Sequence, residues 1–477
     1  MSFALTKAVN PSKVFLTRKA EMTGRWDPSY FRPELVALEK RVCEATSHRL
    51  RDFVQQMAGG ATPSTKDADT HYTESADGVP FIRVQNLSTT GRLNLEDCKR
   101  ITRSTHEGLL ARSKLSGGEL LVKITGVGRM AVASVVPDGF EANINQHIVA
   151  IRTKDKKTSE ALAAWLNLDS AERLASRRST GGTRPALDYP ALVSIPIVFD
   201  ERLSMLVEDA VNKYQESIDA AKNLLVNIDR VLIEELGLKQ KTESPNTIES
   251  RMFYRNFSAL SGNRIDPASN WKSLSFDGGR YPLVKLRDVV DINPLTRFPR
   301  LDPSRLISFV PMNAVSEVFG EIVENLTRSI GESGSYTAFQ EGDIIWAKIT
   351  PCMENGKSAV ACDLEEGVGF GSTEFHVFRR KNSDLSINFL HYLLRLQVVR
   401  DHARLNFTGT SGHQRVDEQF FNRMTIPFPP QKIQAHIAEK AEGMKSAARQ
   451  LFADANVNMV KTKIEIEALI LGKEPSI

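Results

Sequence analysis

Gly118-Glu119-Leu120-Leu121-Val122-Lys123-Ile124-Thr125 and Gly342-Asp343-Ile344-Ile345-Trp346-Ala347-Lys348-Ile349-Thr350 are one phrase written twice, with a residue inserted in the second copy. Each opens on a glycine and an acid, runs through apolar side chains and closes on Lys-Ile-Thr. A short apolar run bounded by turn residues predicts a buried strand. The duplication extends outward from it. Upstream, Ile82-Arg83-Val84-Gln85-Asn86-Leu87 matches Phe309-Val310-Pro311-Met312-Asn313-Ala314, and Leu50-Arg51-Asp52-Phe53 matches Leu286-Arg287-Asp288-Val289. Further up, Arg25-Trp26-Asp27-Pro28 matches Arg264-Ile265-Asp266-Pro267. Downstream, Leu162 and Trp165-Leu166 correspond to Leu390 and Leu393-Leu394. Thr180-Gly181-Gly182-Thr183 before Ile195-Pro196-Ile197 corresponds to Thr408-Gly409-Thr410-Ser411-Gly412 before Ile426-Pro427-Phe428. The order never changes and the offset stays at roughly 225 to 240 positions, which reads as an internal repeat.

Each copy changes character partway. Stretches 25–200 and 264–430 mix strand-like runs, turns and helical segments such as Ser159–Leu168 and Asn388–Arg400, so each predicts an α+β globular unit. The period then becomes helical. Leu203, Val207, Ala210, Tyr214, Ile218, Ala221, Leu225, Ile228 and Leu232 step by three or four, with no Gly or Pro until Gly237. Ile433, Ile437, Ala441, Met444, Ala448, Leu451 and Ala455 do the same in a run that ends near Gly472. These predict two long helices, 201–240 and 431–472, each with a narrow apolar seam. A helix of 35–40 residues is about 55–60 Å long, more than one compact domain requires. Pairing of the two helices as an antiparallel coiled coil is therefore the expectation, in place of each folding onto its own globular unit. The polar, Pro-containing 239–250 overlaps the expected linker 241–263, and 1–24 is the expected N-terminal segment. The whole is a pseudo-two-fold internal repeat.

Bulk properties narrow the class without deciding it. At 477 residues the chain exceeds one ordinary core. Sixty-two basic against 58 acidic residues give a net charge of +4, which permits nucleic-acid binding without demanding it. Cys43, Cys98, Cys352 and Cys362 stand far apart, with no C-x-x-C pair and no His at ligand spacing, so neither a metal site nor a disulfide framework is expected. No apolar run is long enough for a membrane span, and the opening MSFALTKAVNPSKVF lacks a secretory core. A cytoplasmic location is the expectation.

The order globular unit, long helix, globular unit, long helix resembles the specificity subunits of type I restriction-modification systems over nearly the whole chain. The resemblance rests on the two Arg-x-Asp-Pro tetrads, Gly59-Gly60-Ala61-Thr62-Pro63, the Gly-acid strand, and a Thr-Gly stretch before Ile-Pro that launches a long helix. The first copy departs from the pattern after Ile195-Pro196-Ile197, lacking the Pro429-Pro430 and Gln431 of the second, so the start of its helix is less defined. The resemblance implies two target-recognition domains, each reading half of a bipartite, asymmetric site in double-stranded DNA. It implies helices that set the spacing and dock two DNA adenine methyltransferase subunits, with a restriction-translocase subunit joining them. It also implies a chain with no catalytic residues, metal or cofactor of its own.

Base reading favours Arg, Lys, Asn and Gln, and phosphate positioning favours Lys, Arg, Ser, Thr and exposed amides. In the first copy this selects Arg83, Gln85, Asn86, Lys123, Thr125, Arg129, Thr180, Thr183 and Arg184. In the second it selects Asn313, Lys348, Thr350, Thr408, Thr410, Ser411, His413, Gln414 and Arg415. Asn145, Gln146, Glu374 and His376 are weaker additions, and Lys154–Lys157 and Arg177-Arg178 read as solvated basic faces. Residues shared by the copies should serve the fold or phosphates, whereas base readers should differ.

Enzymatic readings find little support. Asp27-Pro28-Ser29-Tyr30 looks like an amino-methyltransferase loop but has no glycine-rich cofactor turn upstream, and its duplicate loses the aromatic residue. No G-x-x-x-x-G-K-[ST] loop occurs. His147 and His376 sit at near-equivalent positions without an accompanying nucleophile or carboxylate pattern. Two alternatives stay open: a related type IIB-like or methylation-only defence system, and a coiled-coil scaffold without a DNA role.

Overall fold

The computed structural model describes residues 10, 14–19, 22, 25–238, 252, 254, 276, 279–296, 298, 302–409 and 414–471. Arg264-Ile265-Asp266-Pro267, most of the expected linker, and Thr410, Ser411 and His413 lie outside the described residues. Two compact units emerge, one of 1–217 with 453–477 and the other of 218–452.

In the first unit the described strands are β1 Gln56–Gly59, β2 Tyr72–Thr73, β3 Val79–Ile82, β4 Lys99–Ile101, β5 Leu120–Lys123, β6 Ala133–Val135, β7 Asn143–Ile144 and β8 Ile148–Arg152. They form two sheets, β1-β8-β5-β6 and β2-β4-β3-β7, antiparallel except for the parallel pair β3/β7. The quoted phrase is β5, and all four of its residues are buried. Alternating side chains put Leu120 and Val122 on one face and Leu121 on the other. The first face, with Val149 and Ile151 of β8, packs on Leu162, Trp165 and Leu166 of helix Lys156–Leu166. The second, with Ile148 and Ala150, packs on Ile82 and Ile144 of the other sheet. The sheet thus lies between two cores. Trp165 Nε1 donates to the Pro196 carbonyl at 3.0 Å, tying that helix to the Ile-Pro segment.

The second unit repeats the arrangement. Its strands are β9 Leu283–Lys285, β10 Val290–Ile292, β11 Leu306–Val310, β12 Leu326–Ser329, β13 Thr337–Gln340, β14 Ile344–Ala347, β15 Ser358–Val360, β16 Val368–Gly371, β17 Phe375–Arg380, β18 Phe407–Thr408, β19 Arg415–Val416 and β20 Thr425–Pro427. Sheet β10-β17-β14-β15 copies β1-β8-β5-β6 strand for strand, and the parallel pair β11/β16 copies β3/β7. Ile344 and Trp346 join the core of helix Ile387–Arg395, while Ile345 faces Val310, Phe375 and Val377. The sheets that hold the parallel pairs are extended at opposite edges. The first unit adds β2 beside β4, and the second adds β13 beside β16.

The duplicated Gly-acid pair now has a physical cause. Gly118 and Gly342 turn into the strand at φ of 83° and 81°, where a Cβ is costly. The acid that follows points inward. Glu119 accepts from Arg152 Nη2 at 2.9 Å and from the Ser116 amide at 3.0 Å. Asp343 accepts from Arg379 Nε at 2.8 Å and Nη2 at 2.7 Å, and from the Gln340 amide at 2.8 Å. Arg152 and Arg379 occupy matching places in β8 and β17, each one residue beyond the partner of the strand's first residue.

The expected long helices run Glu201–Leu236 and Gln431–Leu471. The Asp200 carboxylate accepts from the Arg202 amide at 2.9 Å where the first begins. It ends in a Schellman motif, with Gly237 at φ 64°, its amide on the Glu234 carbonyl and the Leu238 amide on the Ile233 carbonyl. Within the first unit, Leu203 and Val207 share a core with Ile466, Ile470 and Leu471, and the Tyr214 hydroxyl meets Asn456 Oδ1 at 3.5 Å. Within the second, Ile228, Leu232 and Leu236 pack with Ile437, Ala438 and Ala441, and Lys440 pairs with Glu235 at 2.8 Å. Gln434, fully buried, accepts from the Ser386 amide at 2.7 Å and donates to the Asp384 and Pro429 carbonyls at 3.0 and 2.9 Å.

Two stability predictions follow from these contacts. Asp343→Ala strips the carboxylate from Arg379 and from a strand-entry amide, and is expected to cost about 3 kcal/mol in the denaturant unfolding of the second unit. Asp343→Asn, which keeps an acceptor, should cost less. His391 is wholly buried, with Nε2 3.0 Å from Ser358 Oγ, and burial beside Arg395 holds its pKa well below the ordinary imidazole value. It is neutral in the fold, whereas the unfolded chain takes up a proton below about pH 6.5. Its contribution is therefore complete above that pH and is lost as pH falls toward the folded pKa. Comparing denaturation midpoints at pH 7 and pH 5 should show a decline that His391→Gln flattens.

Candidate nucleic-acid interface

The Arg-x-Asp-Pro tetrad anchors the first of the glycine-rich loops. Arg25 Nε and Nη2 each lie 2.8 Å from an Asp27 oxygen, and its Nη1 and Nη2 donate to the carbonyls of Arg178 and Ser179 at 2.9 and 3.2 Å. Those carbonyls close helix Asp169–Arg178, so a guanidinium caps its C-terminus just before Thr180. Arg177 and Arg178 are corrected from a solvated face to buried anchors. Both pair with Glu39, and Arg177 Nε donates to the Tyr30 carbonyl at 2.6 Å. Pairing to an acid far along the chain supplies the compensation that a buried guanidinium needs.

Past that cap, the Thr180 and Ala186 backbones exchange two 2.8 Å hydrogen bonds around Gly181, at φ 93°. The loop docks on the end of β5, with Thr125 bridged to Ala186 and the Gly126 amide on the Pro185 carbonyl at 3.0 Å. Thr180, Thr183 and Arg184 are exposed. Arg184 Nη2 sits 3.1 Å from His147 Nε2, and burial together with Arg184 lowers the His147 pKa, so a neutral imidazole accepts from the guanidinium. The neighbouring Gln146 is exposed and bonded to Thr62. Gly60 permits this approach, since a Cβ there would lie 2.2 Å from the Ile144 carbonyl. Thr62, Thr125, Gln146, His147, Thr180, Thr183 and Arg184 thus come together. Thr62 was not among the sequence candidates, although the Gly59-Gly60 pair just before it was a usable signal.

Other first-unit candidates lie elsewhere. Lys123 is buried, its Nζ donates to the Val127 carbonyl at 2.8 Å, and burial lowers its pKa. Asn86 is buried and closes a turn, accepting from the Arg83 amide and donating to the Asn94 carbonyl, both at 2.9 Å. Arg83 donates to the Asp97 carbonyl at 3.2 Å and faces the exposed Gln85. Arg129 binds Asp169 and the Asn167 carbonyl at 2.5 and 2.7 Å, and Asn145 is buried with Oδ1 on the His147 amide at 3.2 Å. Of the run 154–157, Lys156 pairs with Asp138 at 2.5 Å.

The second unit builds the same cluster from different residues. Thr408 pairs with Arg415, Gly409 takes φ 104°, and Ile349 is bridged to Arg415 as Thr125 is to Ala186. The Thr350 amide donates to the Gln414 carbonyl at 3.0 Å, and the Val416 amide to the Lys348 carbonyl at 2.9 Å. Thr350 Oγ1 bonds to Glu354. Arg415 forks onto Glu374 at 2.8 and 2.7 Å and holds that carboxyl below its usual range. His376 is buried with a lowered pKa, its Nε2 donating to the Val416 carbonyl at 2.9 Å. Lys348, Thr350, Thr408, Gln414 and Arg415 are therefore neighbours, while Asn313 is exposed on the turn Met312–Ala314.

Among the described residues no helix is long and apolar enough to cross a membrane. The protein-family model described as the type I restriction modification DNA specificity domain matches residues 281–443. Two curated relatives from Escherichia coli are similar to part of the chain. The type I restriction enzyme EcoEI specificity subunit is 37% identical over 155 residues, 32% of this chain and 26% of its own length. The EcoAI specificity subunit is 33% identical over 184 residues, 37% of this chain and 31% of its own length. The matched stretches thus span about a quarter to a third of those relatives. A solved structure, described as showing complex assembly and conformational transition of the type I R-M system, aligns with 89% of this chain and 95% of its own at a TM-score of 0.44 and 14% identity. Residues 281–443 are thus similar to the type I restriction modification DNA specificity domain, and over the matched stretches the chain is similar to type I specificity subunits.

Proposed function

We propose that the chain is the DNA-reading specificity subunit of a type I restriction-modification assembly and leaves methylation and cleavage to partners. Domains 25–200 and 264–430 each read one half of an asymmetric, bipartite site. The long helices pair antiparallel and fix the gap between the halves. They dock two DNA adenine methyltransferase subunits, a restriction-translocase joins them, and the assembly works in the cytoplasm. The observation that carries this reading is the duplicated loop cluster. Each unit sets a glycine-hinged backbone pair, Thr180 with Ala186 or Thr408 with Arg415, against the end of its equivalent central strand. The side chains on the two loops differ, as two readers of different half-sites require. Pairing of the helices is supported inside each unit by Tyr214 with Asn456 and by Lys440 with Glu235. Two readers on one spacer add their discrimination, each good bidentate base contact being worth about 1–3 kcal/mol.

Sequencing the methylated motifs of a host that expresses the chain with its methyltransferase tests the reading. A two-part motif with a constant gap is expected, and a single continuous motif or none would overturn it. Within the first cluster Arg184 is assigned to a phosphate. Arg184→Ala should weaken binding equally on specific and random duplexes and reduce the log–log salt slope by about 0.9, measured by fluorescence anisotropy across a salt series. A change of motif with an unaltered salt slope would make Arg184 a base reader instead.

A further inference from the structure

Apart from the residues of the loop cluster, the first unit brings together one histidine and two glutamates. His106 is 1% exposed, Glu107 follows it, and Glu141 arrives from the segment leading into β7. The orientation of the imidazole is set from outside this group. Asn143 Nδ2 donates to the Leu110 carbonyl at 2.8 Å and to Ser113 Oγ at 3.1 Å, and Ser113 Oγ itself donates to the Leu110 carbonyl at 3.2 Å. The amide therefore has to turn its oxygen to His106 Nδ1, 2.5 Å away. Nδ1 must donate, which leaves Nε2 as the ring atom that meets the carboxylates. What Nε2 faces are two further acceptors: Glu141 Oε1 at 3.0 Å and Glu107 Oε1 at 3.7 Å. Three side chains thus converge at the ring's Nε2 edge, with Arg103 and Lys114 engaged on the outer oxygens of the two carboxylates.

The carboxylates are steered in the same way. Glu141 gives Oε2 to Arg103 at 3.0 Å, and Glu107 gives Oε2 to Lys114, leaving the two Oε1 atoms to face His106. All three donor atoms lie within 4.8 Å of one another. A zinc-type ion holds N and O ligands at about 2.0–2.2 Å in a tetrahedron whose edges are then about 3.3–3.6 Å. The 3.0 and 3.7 Å separations bracket that edge. A ring whose other N–H is fixed by an amide carbonyl also has the support usual behind a metal-binding histidine. We propose that His106 Nε2, Glu107 Oε1 and Glu141 Oε1 form a three-ligand site for a zinc-like divalent cation, with water completing the tetrahedron on the exposed side. The cysteine pattern gave no hint of it, because the site uses no thiol and joins ligands from two separate stretches. Its occupancy would clamp helix Arg103–Glu107 to the strand-entry segment of the first unit.

The test uses the full chain stripped with a chelator and dialysed against micromolar Zn²⁺. One ion per chain is expected, with affinity reduced about tenfold or more in Glu141→Gln and in Glu107→Gln, surface substitutions that leave the buried ring in place. Co²⁺ substitution should give the intense visible bands of a tetrahedral N/O site. A thiolate-to-cobalt charge-transfer band would put the ion on a cysteine and overturn the assignment. So would binding that survives both glutamine substitutions. Failure of the wild-type chain to bind, with ¹⁵N shifts showing both His106 nitrogens protonated, would make the group an imidazolium–carboxylate cluster and equally refute the site.

Discussion

A strand buried on both faces must satisfy its backbone at both edges and fill a core on each side. Leu120–Lys123 and Ile344–Ala347 are such strands, and the rest of each unit is arranged around that requirement. Antiparallel neighbours close both edges, a helix covers one face and a parallel-paired sheet covers the other. Each fully buried Leu or Ile on such a strand contributes about 1.5–3 kcal/mol, so a register slip would lose several at once. This is why the strand makes a firm base for a loop. The glycine-hinged loops dock at its far end, where Ile124 and Ile349 leave the sheet.

Much of this could be read from the chain because it repeats. A period of two, the Gly-acid entry and the long three-and-four stepping are local patterns that survive without knowing any partner. The features that escaped sequence reading depend on which hydrogen-bond partner the folded backbone brings to a polar side chain. Arg177 and Arg178 look like a solvated pair until Glu39 is placed between their guanidinium groups. Lys123 looks like a strand-end cation until the chain folds back and offers the Val127 carbonyl. Asn86 suits base reading by composition, but a turn needs the same amide more. In each case a hydrogen bond decided between surface and interior, long-range for Arg177 and Arg178 and local for Lys123 and Asn86.

Duplication also separates what the fold needs from what the loops can vary. Glu119–Arg152 and Asp343–Arg379 are the same device with a different acid, and both copies keep it because a buried carboxylate at the strand entry cannot go unpaired. The loops are under no such constraint. In the first, Arg184 leans on a neutral His147, which accepts its hydrogen bond but leaves its full charge in place. In the second, Arg415 forks onto the ionised Glu374, which offsets that charge and fixes the guanidinium plane. Phosphates and base edges would meet different electrostatics at the two loops although the scaffold beneath is the same. The difference lies in a histidine and a glutamate flanking the loops, so under the proposed DNA-reading function specificity could diverge between the copies without disturbing either core.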